Sequence, residues 1–284
     1  MQVFHLPGLR LEGRSLAFCP DGRFLAAGSQ LSLVDTVGGE VRSPADLNLG
    51  FCSFAFLPGG SARLLVSRFG HFESLDLGTG ERQSFPVSGG VIDFAIDPAG
   101  NRLFAFAGNR LCMAPLADPA QLTPFAEENL RVYQLTISAD GRRLAGYCGG
   151  SSRVWDVGGA ELPSRGGATL TGSSRGFALS ADGTRLASVF GTSLSVWDAD
   201  TGAEVWRSGK HRRAVMAVAY NLARPLLATG DNLGKVFLWD AGCRVVNKYD
   251  WELGSVAGLA FAPDGLRCAA VDADGKLVIW DVDV

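Results

Sequence analysis

Histidine is scarce in this chain. The three present, His5, His71 and His211, lie far apart in sequence, so no local cluster is available for a metal site, and no metal or other cofactor is expected. The six cysteines, Cys19, Cys52, Cys112, Cys148, Cys243 and Cys268, form no C-x-x-C pair, and no histidine stands near enough to complete a zinc pattern. Most of them fall in apolar, strand-like surroundings and read as small buried thiols. No run of about 18 apolar residues exists, so no membrane-spanning helix is expected. Met1 to Leu11 lacks the basic start and long apolar run of a secretory signal, which makes the cytoplasm the default expectation. Helical periodicity is missing too; only Ala126 to Arg131 would tolerate a helix, and that stretch is short. Neither a phosphate-cradling loop nor an H-E-x-x-H motif occurs. The letters G-x-S-x-G do occur at Gly172, Ser173, Ser174, Arg175 and Gly176, but a nucleophile elbow needs a helix after the serine, and a strand follows here. Asp272, Ala273, Asp274 and Gly275 resemble the start of a calcium loop that lacks its closing glutamate, so a hairpin turn is the better reading. A net charge of −3 speaks against a general nucleic-acid binder.

What the chain has in quantity is glycine, 37 residues of 284, and a repeat. A short turn signal recurs as Pro20-Asp21-Gly22, Pro58-Gly59-Gly60, Pro98-Ala99-Gly100, Ala139-Asp140-Gly141, Ala181-Asp182-Gly183, Leu222-Ala223-Arg224 and Pro263-Asp264-Gly265. The sixth copy is degraded. Successive copies are 38, 40, 41, 42, 41 and 41 residues apart. A second signal runs in step: Trp155-Asp156, Trp197-Asp198, Trp239-Asp240 and Trp280-Asp281, with weaker copies at Val34-Asp35 and Leu75-Asp76 and a lost one at Ala114-Pro115. Between the signals, apolar residues alternate with period two in short runs bounded by Gly, Asp, Asn and Pro, which predicts strands joined by tight hairpins.

Units of about 41 residues carrying these two signals resemble the WD-repeat family, strongly in units four to seven and in degenerate form in units one to three. The resemblance spans 1–284 as one domain. It implies an all-β, seven-bladed β-propeller of four-stranded antiparallel sheets around a channel. The seventh unit ends after its third strand, so Gln2 to Leu6 is expected to supply the fourth and close the ring, leaving no open sheet edge between first and last blade. The resemblance also implies a buried His, Ser or Thr, Asp and Trp tetrad in a blade. Here no unit shows all four: the sixth has His211, Thr229 and Trp239 with Leu233 at the expected Asp position, and the seventh has Asp274 and Trp280 without a histidine. Trp155, Trp197, Trp239, Trp280, His211 and Asp274 are therefore read as structural, and stability is expected to rest on packing between apolar blade faces, with little help from tetrads. Arg102, Arg143, Arg185 and Arg267 recur two residues after the turn glycine and read as rim residues of the turn face.

In a propeller the loops leading into first strands and those joining second to third strands emerge on one face. On that face the sequence places Arg68, Phe69, His71, Arg110, Tyr133, Arg175, Arg212 and Arg213, with Tyr147, Phe190 and Lys210 near them. Arginine and aromatic residues are enriched at binding hot spots, although exposed loops are polar in any case. The family resemblance implies an interaction scaffold for a protein or peptide partner, a monomer by default. The alternatives are a propeller enzyme with a site at the channel mouth, for which Asp93 is an isolated candidate, and a binder of phosphorylated or nucleic-acid ligands through the arginine-rich face.

Overall fold

The computed structural model describes residues 1–6, 8–9, 16–28, 31–42, 53–59, 63–68, 70–125, 131–159, 168–171 and 176–283. They form seven sheets of four antiparallel strands. Blade four shows the pattern: Gln134–Ile137, Arg143–Tyr147, Ser151–Asp156 and Thr169–Thr171 follow one another from the axis outward. Each first strand neighbours the first strand of the next blade, and Val256–Phe261 of blade seven neighbours Leu16–Phe18 of blade one, so the ring closes. Gln2–His5 completes blade seven, pairing Gln2 with Ile279 and Phe4 with Leu277. Cys52, Phe69, residues 126–130 and residues 172–175 lie outside the described residues.

The core is divided into seven apolar clusters, one in each seam between neighbouring blades. A four-stranded sheet has two faces to cover and no helix to cover them, so each blade buries its faces against its neighbours. The residue before the hairpin-capping aspartate faces the preceding blade in every case: Trp155 packs against blade three, Trp197 against blade four, Trp239 against blade five and Trp280 against blade six. Val34, Leu75 and Ala114 hold the same position in blades one to three. Blade three, with only Ala114 there, fills its seam with Phe72 and Phe94, whose rings meet edge to face at 5.3 Å. The aspartate after the tryptophan caps the next hairpin. Asp198 Oδ1 accepts from the amides of Asp200 and Thr201, and Asp35 and Asp76 do the same in their blades.

Three of the recurrent arginines, and Arg224 of the degraded turn, bind blade to blade, while Arg185 pairs with Asp198 of its own blade. Arg102 of blade three donates to the carbonyls of Val157 (2.6 Å) and Gly141 (3.4 Å) in blade four. Arg143 of blade four pairs with Asp200 of blade five. Arg224 of blade six donates to Val282 O of blade seven at 3.1 Å. Arg267 of blade seven crosses the closure, donating to Thr36 Oγ1 at 3.0 Å and Gly22 O at 2.9 Å in blade one. They are load-sharing ties of the turn face, a more specific role than rim exposure. Asp93, 2% exposed, is another tie: its Oδ2 accepts from the Leu135 amide of blade four at 2.7 Å.

Arg267→Ala removes two charge-assisted hydrogen bonds from the closure seam. We expect a loss of about 2 kcal/mol, read as a fall of roughly 5 °C in a thermal melt, whereas an unchanged melt would show that the seam is held by Gln2–His5 and apolar packing alone.

Candidate functional site

The segments leading into first strands and the hairpins between second and third strands share one rim, and backbone bonds hold them together. Gly108 N donates to Gly90 O, Tyr133 N to Tyr147 O, Val215 N to Gly191 O and Asn232 N to Ala214 O. The last two, at 2.7 and 2.9 Å, tie the hairpin at 190–193 of blade five, the segment 208–214 and the hairpin at 231–235 of blade six into one patch.

The residues singled out from sequence divide by what they touch. Arg68 is half-buried and its Nε lies 3.2 Å from Glu73 Oε2, so its charge is matched within blade two. His71 is half-buried opposite Arg68 in the same hairpin. Arg110 is exposed on blade three, and Tyr133 of blade four is 49% exposed with its ring 6.2 Å from Tyr147. Phe69 and Arg175 lie outside the described residues. Arg212 and Arg213 are exposed beside exposed Lys210, and among the described residues none of the three has an ion-pair partner. The patch also holds Phe190, 58% exposed, and Leu233, 54% exposed. Leu233 was missed as a surface feature; the available signal was an apolar residue at the tip of a hairpin, where polar residues are usual.

Beneath this patch is a complete tetrad, which corrects the reading that no blade has one. His211 Nδ1 lies 3.2 Å from Asp231 Oδ2 and Nε2 lies 2.7 Å from Thr229 Oγ1, while Trp239 Nε1 donates to Thr229 Oγ1 at 2.8 Å. An ionised aspartate only accepts, which puts the proton on Nδ1 and makes Nε2 the acceptor of the threonine hydroxyl. The acid is Asp231, two residues before the expected position, because it sits at the end of the second strand and its Oδ1 also caps the hairpin through the amides of Leu233 and Lys235. Blade seven repeats this with Asp272, whose Oδ1 accepts from Asp274 and Lys276 and whose Oδ2 accepts from Gly254. Asp274 itself is exposed, so the structural role given to it passes to Asp272. At the position of Thr229 the other tryptophan-bearing blades read Gly146, Ser188 and Ala270. Only Ser188 can replace the threonine, accepting from Trp197 Nε1 at 2.8 Å.

Burial pushes the His211 pKa below its ordinary 6.5, against the opposing pull of Asp231. The fold therefore holds the neutral ring, and the unfolded chain takes up the proton first as pH falls. The contribution is full above pH 6.5 and is lost as pH falls from there toward the lowered value. Wild-type protein should melt lower at pH 5.5 than at pH 7.5. His211→Gln should melt lower than wild type at pH 7.5 and show a smaller change between the two; equal pH dependence would remove His211 as the titrating group.

Among the comparisons with known proteins, the family model described as WD domain, G-beta repeat matches residues 245–281, from the outer strand of blade six through the third strand of blade seven. The curated proteins contain no match to this chain.

Proposed function

This chain is a WD-repeat β-propeller, and on that premise we propose that it is a non-catalytic interaction scaffold that presents its hairpin rim to a protein or peptide partner. The observation that carries the reading is how the two faces use their cations. On the turn face, Arg102, Arg143, Arg224 and Arg267 are spent on seams, Arg23 and Arg185 pair within their own blades, and the exposed Arg142 and Arg244 stand singly in separate blades. On the rim, Lys210, Arg212 and Arg213 have no ion-pair partner among the described residues and stand beside two exposed apolar side chains, Phe190 and Leu233. Unmatched arginine beside apolar surface is the composition of an anchor site, and guanidinium groups suit carboxylate or phosphate oxygens. The same cations favour an acidic or phosphorylated segment over a neutral one. A nucleic acid would use the same patch, with affinity falling steeply between low and moderate salt.

The enzyme reading has lost its isolated candidate, since Asp93 is committed to the seam between blades three and four. Arg110, Tyr133, Arg68 and His71 belong to the same face and extend the surface toward blades two to four.

The test is affinity capture from the native source with tagged protein. Beside it run Arg212→Glu with Arg213→Glu, and a turn-face control, Leu266→Glu, whose side chain is exposed. A stoichiometric partner should be retained by wild type and by the control, and lost by the rim variant while its melt stays unchanged. Retention by the rim variant would contradict the rim reading.

A further inference from the structure

Five seams of the ring are closed on the turn face by a glycine. Gly22, Gly100, Gly141, Gly183 and Gly265 have φ between +67° and +74°, a region L side chains rarely adopt. Each also seats against the preceding blade so tightly that a Cβ would stand 2.8 Å from Arg267 Nη2, 2.8 Å from Pro58 Cγ, 2.7 Å from Asp97 Oδ1, 2.7 Å from Arg143 Cγ and 2.6 Å from Asn221 Oδ1, in that order. At the seam between blades one and two the turn glycine, Gly60, lies outside the described residues, and the seam between blades five and six has no such glycine. The turn there reads Leu222-Ala223-Arg224-Pro225, and it leaves a cleft of about 610 Å³. A smaller cleft of about 420 Å³ lies between blades two and three, but there Gly100 still closes on Pro58.

The arginine tie is missing from the same seam. In blades three and seven the recurrent arginine reaches into the next blade, with Arg102 donating to the Val157 carbonyl. Arg185 of blade five instead turns back to Asp198 of its own blade. Ala241, the residue in the place of Val157 in blade six, lines the cleft without a guanidinium from blade five. Of the charges lining the cleft, Arg185 is neutralised by Asp198 and Arg224 donates toward blade seven. Asp182 and Asp240 each accept through Oδ1 within their own turn, and among the described residues neither Oδ2 accepts a hydrogen bond. The walls are apolar: Val196, Trp206, Tyr220 and Leu227 within, and Val205 (49% exposed) and Leu222 (51% exposed) at the mouth.

We propose that this cleft is a second binding site, distinct from the rim, and that it takes a peptide segment of a partner protein carrying an arginine or lysine next to a bulky apolar residue. The basic group occupies the place an arginine tie holds elsewhere, facing Asp182 and Asp240, and the apolar side chain covers the exposed Leu222 and Val205. The volume is that of a ligand pocket with an apolar lining and a few polar groups. Its apolar mouth extends the contact beyond a single buried group, which favours a peptide over a small amine.

The test is selection of random heptapeptides displayed on phage against immobilised full-length protein, followed by fluorescence anisotropy with the selected peptides. Asp182→Asn with Asp240→Asn keeps both turn-capping acceptors and removes the charges; Val205→Ser with Leu222→Ser strips the apolar mouth. Melts of both variants check folding, and one folded variant suffices. The expected result is enriched peptides pairing Arg or Lys with an adjacent Leu, Phe or Trp, whose Kd rises at least tenfold in the folded variant. Peptides that lack a basic residue, binding indifferent to the folded variant, or no enrichment at all would overturn the site. The rim reading is untouched by those outcomes, because peptides held by the rim respond to Arg212→Glu with Arg213→Glu and not to cleft variants.

Discussion

No blade of this protein can bury itself. Four strands make a sheet with two apolar faces, and the chain supplies nothing but another blade to lay against each, so the structure depends on an unbroken sequence of seams around the ring. Every one of the seven apolar clusters is drawn from two neighbouring blades. The closing seam is the one that chain connectivity does not provide. It is made by Gln2–His5 on the edge of Lys276–Asp281, by Arg267 reaching Gly22 and Thr36, and by Leu6 buried with Leu277. An open array would leave two sheet faces and two edges in water, and both are hazards that closure removes.

That dependence explains why the fold was legible from the repeat and why its strength varied along the chain. The position before the capping aspartate must fill a seam, and tryptophan fills it best; where it shrinks to Val34, Leu75 or Ala114 the repeat fades, although the residue faces the same way. The family model matches 245–281, which takes in the last turn glycine, Gly265, the capping Asp272 and Trp280-Asp281 together. At the strand end where Asp231 and Asp272 stand, blades two, three and five carry Arg68, Ala107 and Phe190 instead. Ring closure by the N-terminal strand was also legible, because the last unit lacked a strand and the first residues had no other role.

The features that sequence spacing misplaced are those set by the direction of a side chain. Asp231 completes the His211 tetrad from the strand end, two residues before the position the spacing suggested, because a bulge between Val215 and Ala217 leaves Val215 opposite Asp231 and brings the acid beside the histidine loop. The recurrent arginines were recognised as a structural set, but the sequence does not show which blade a guanidinium reaches. Nor does it show that Arg185 turns back on Asp198 and leaves the seam between blades five and six without an arginine tie. The degraded turn at Leu222 to Arg224 was visible as a lapse in the repeat; that the lapse makes a cleft follows from the close seating of the other turn glycines. On the rim, Arg68 looked equivalent to Arg212 and Arg213 until Glu73 was seen beside it.

The account therefore rests on a division between cations consumed in holding the ring and cations left for a partner. Hydrogen–deuterium exchange of the protein with and without its captured partner tests that division most directly. The result it predicts is slowed exchange in 190–193, 208–215 and 231–235 on partner binding, with the turn-face segments around Gly22, Gly141 and Gly265 unchanged. Protection confined to those turns, with the rim exchanging as in the free protein, would contradict it.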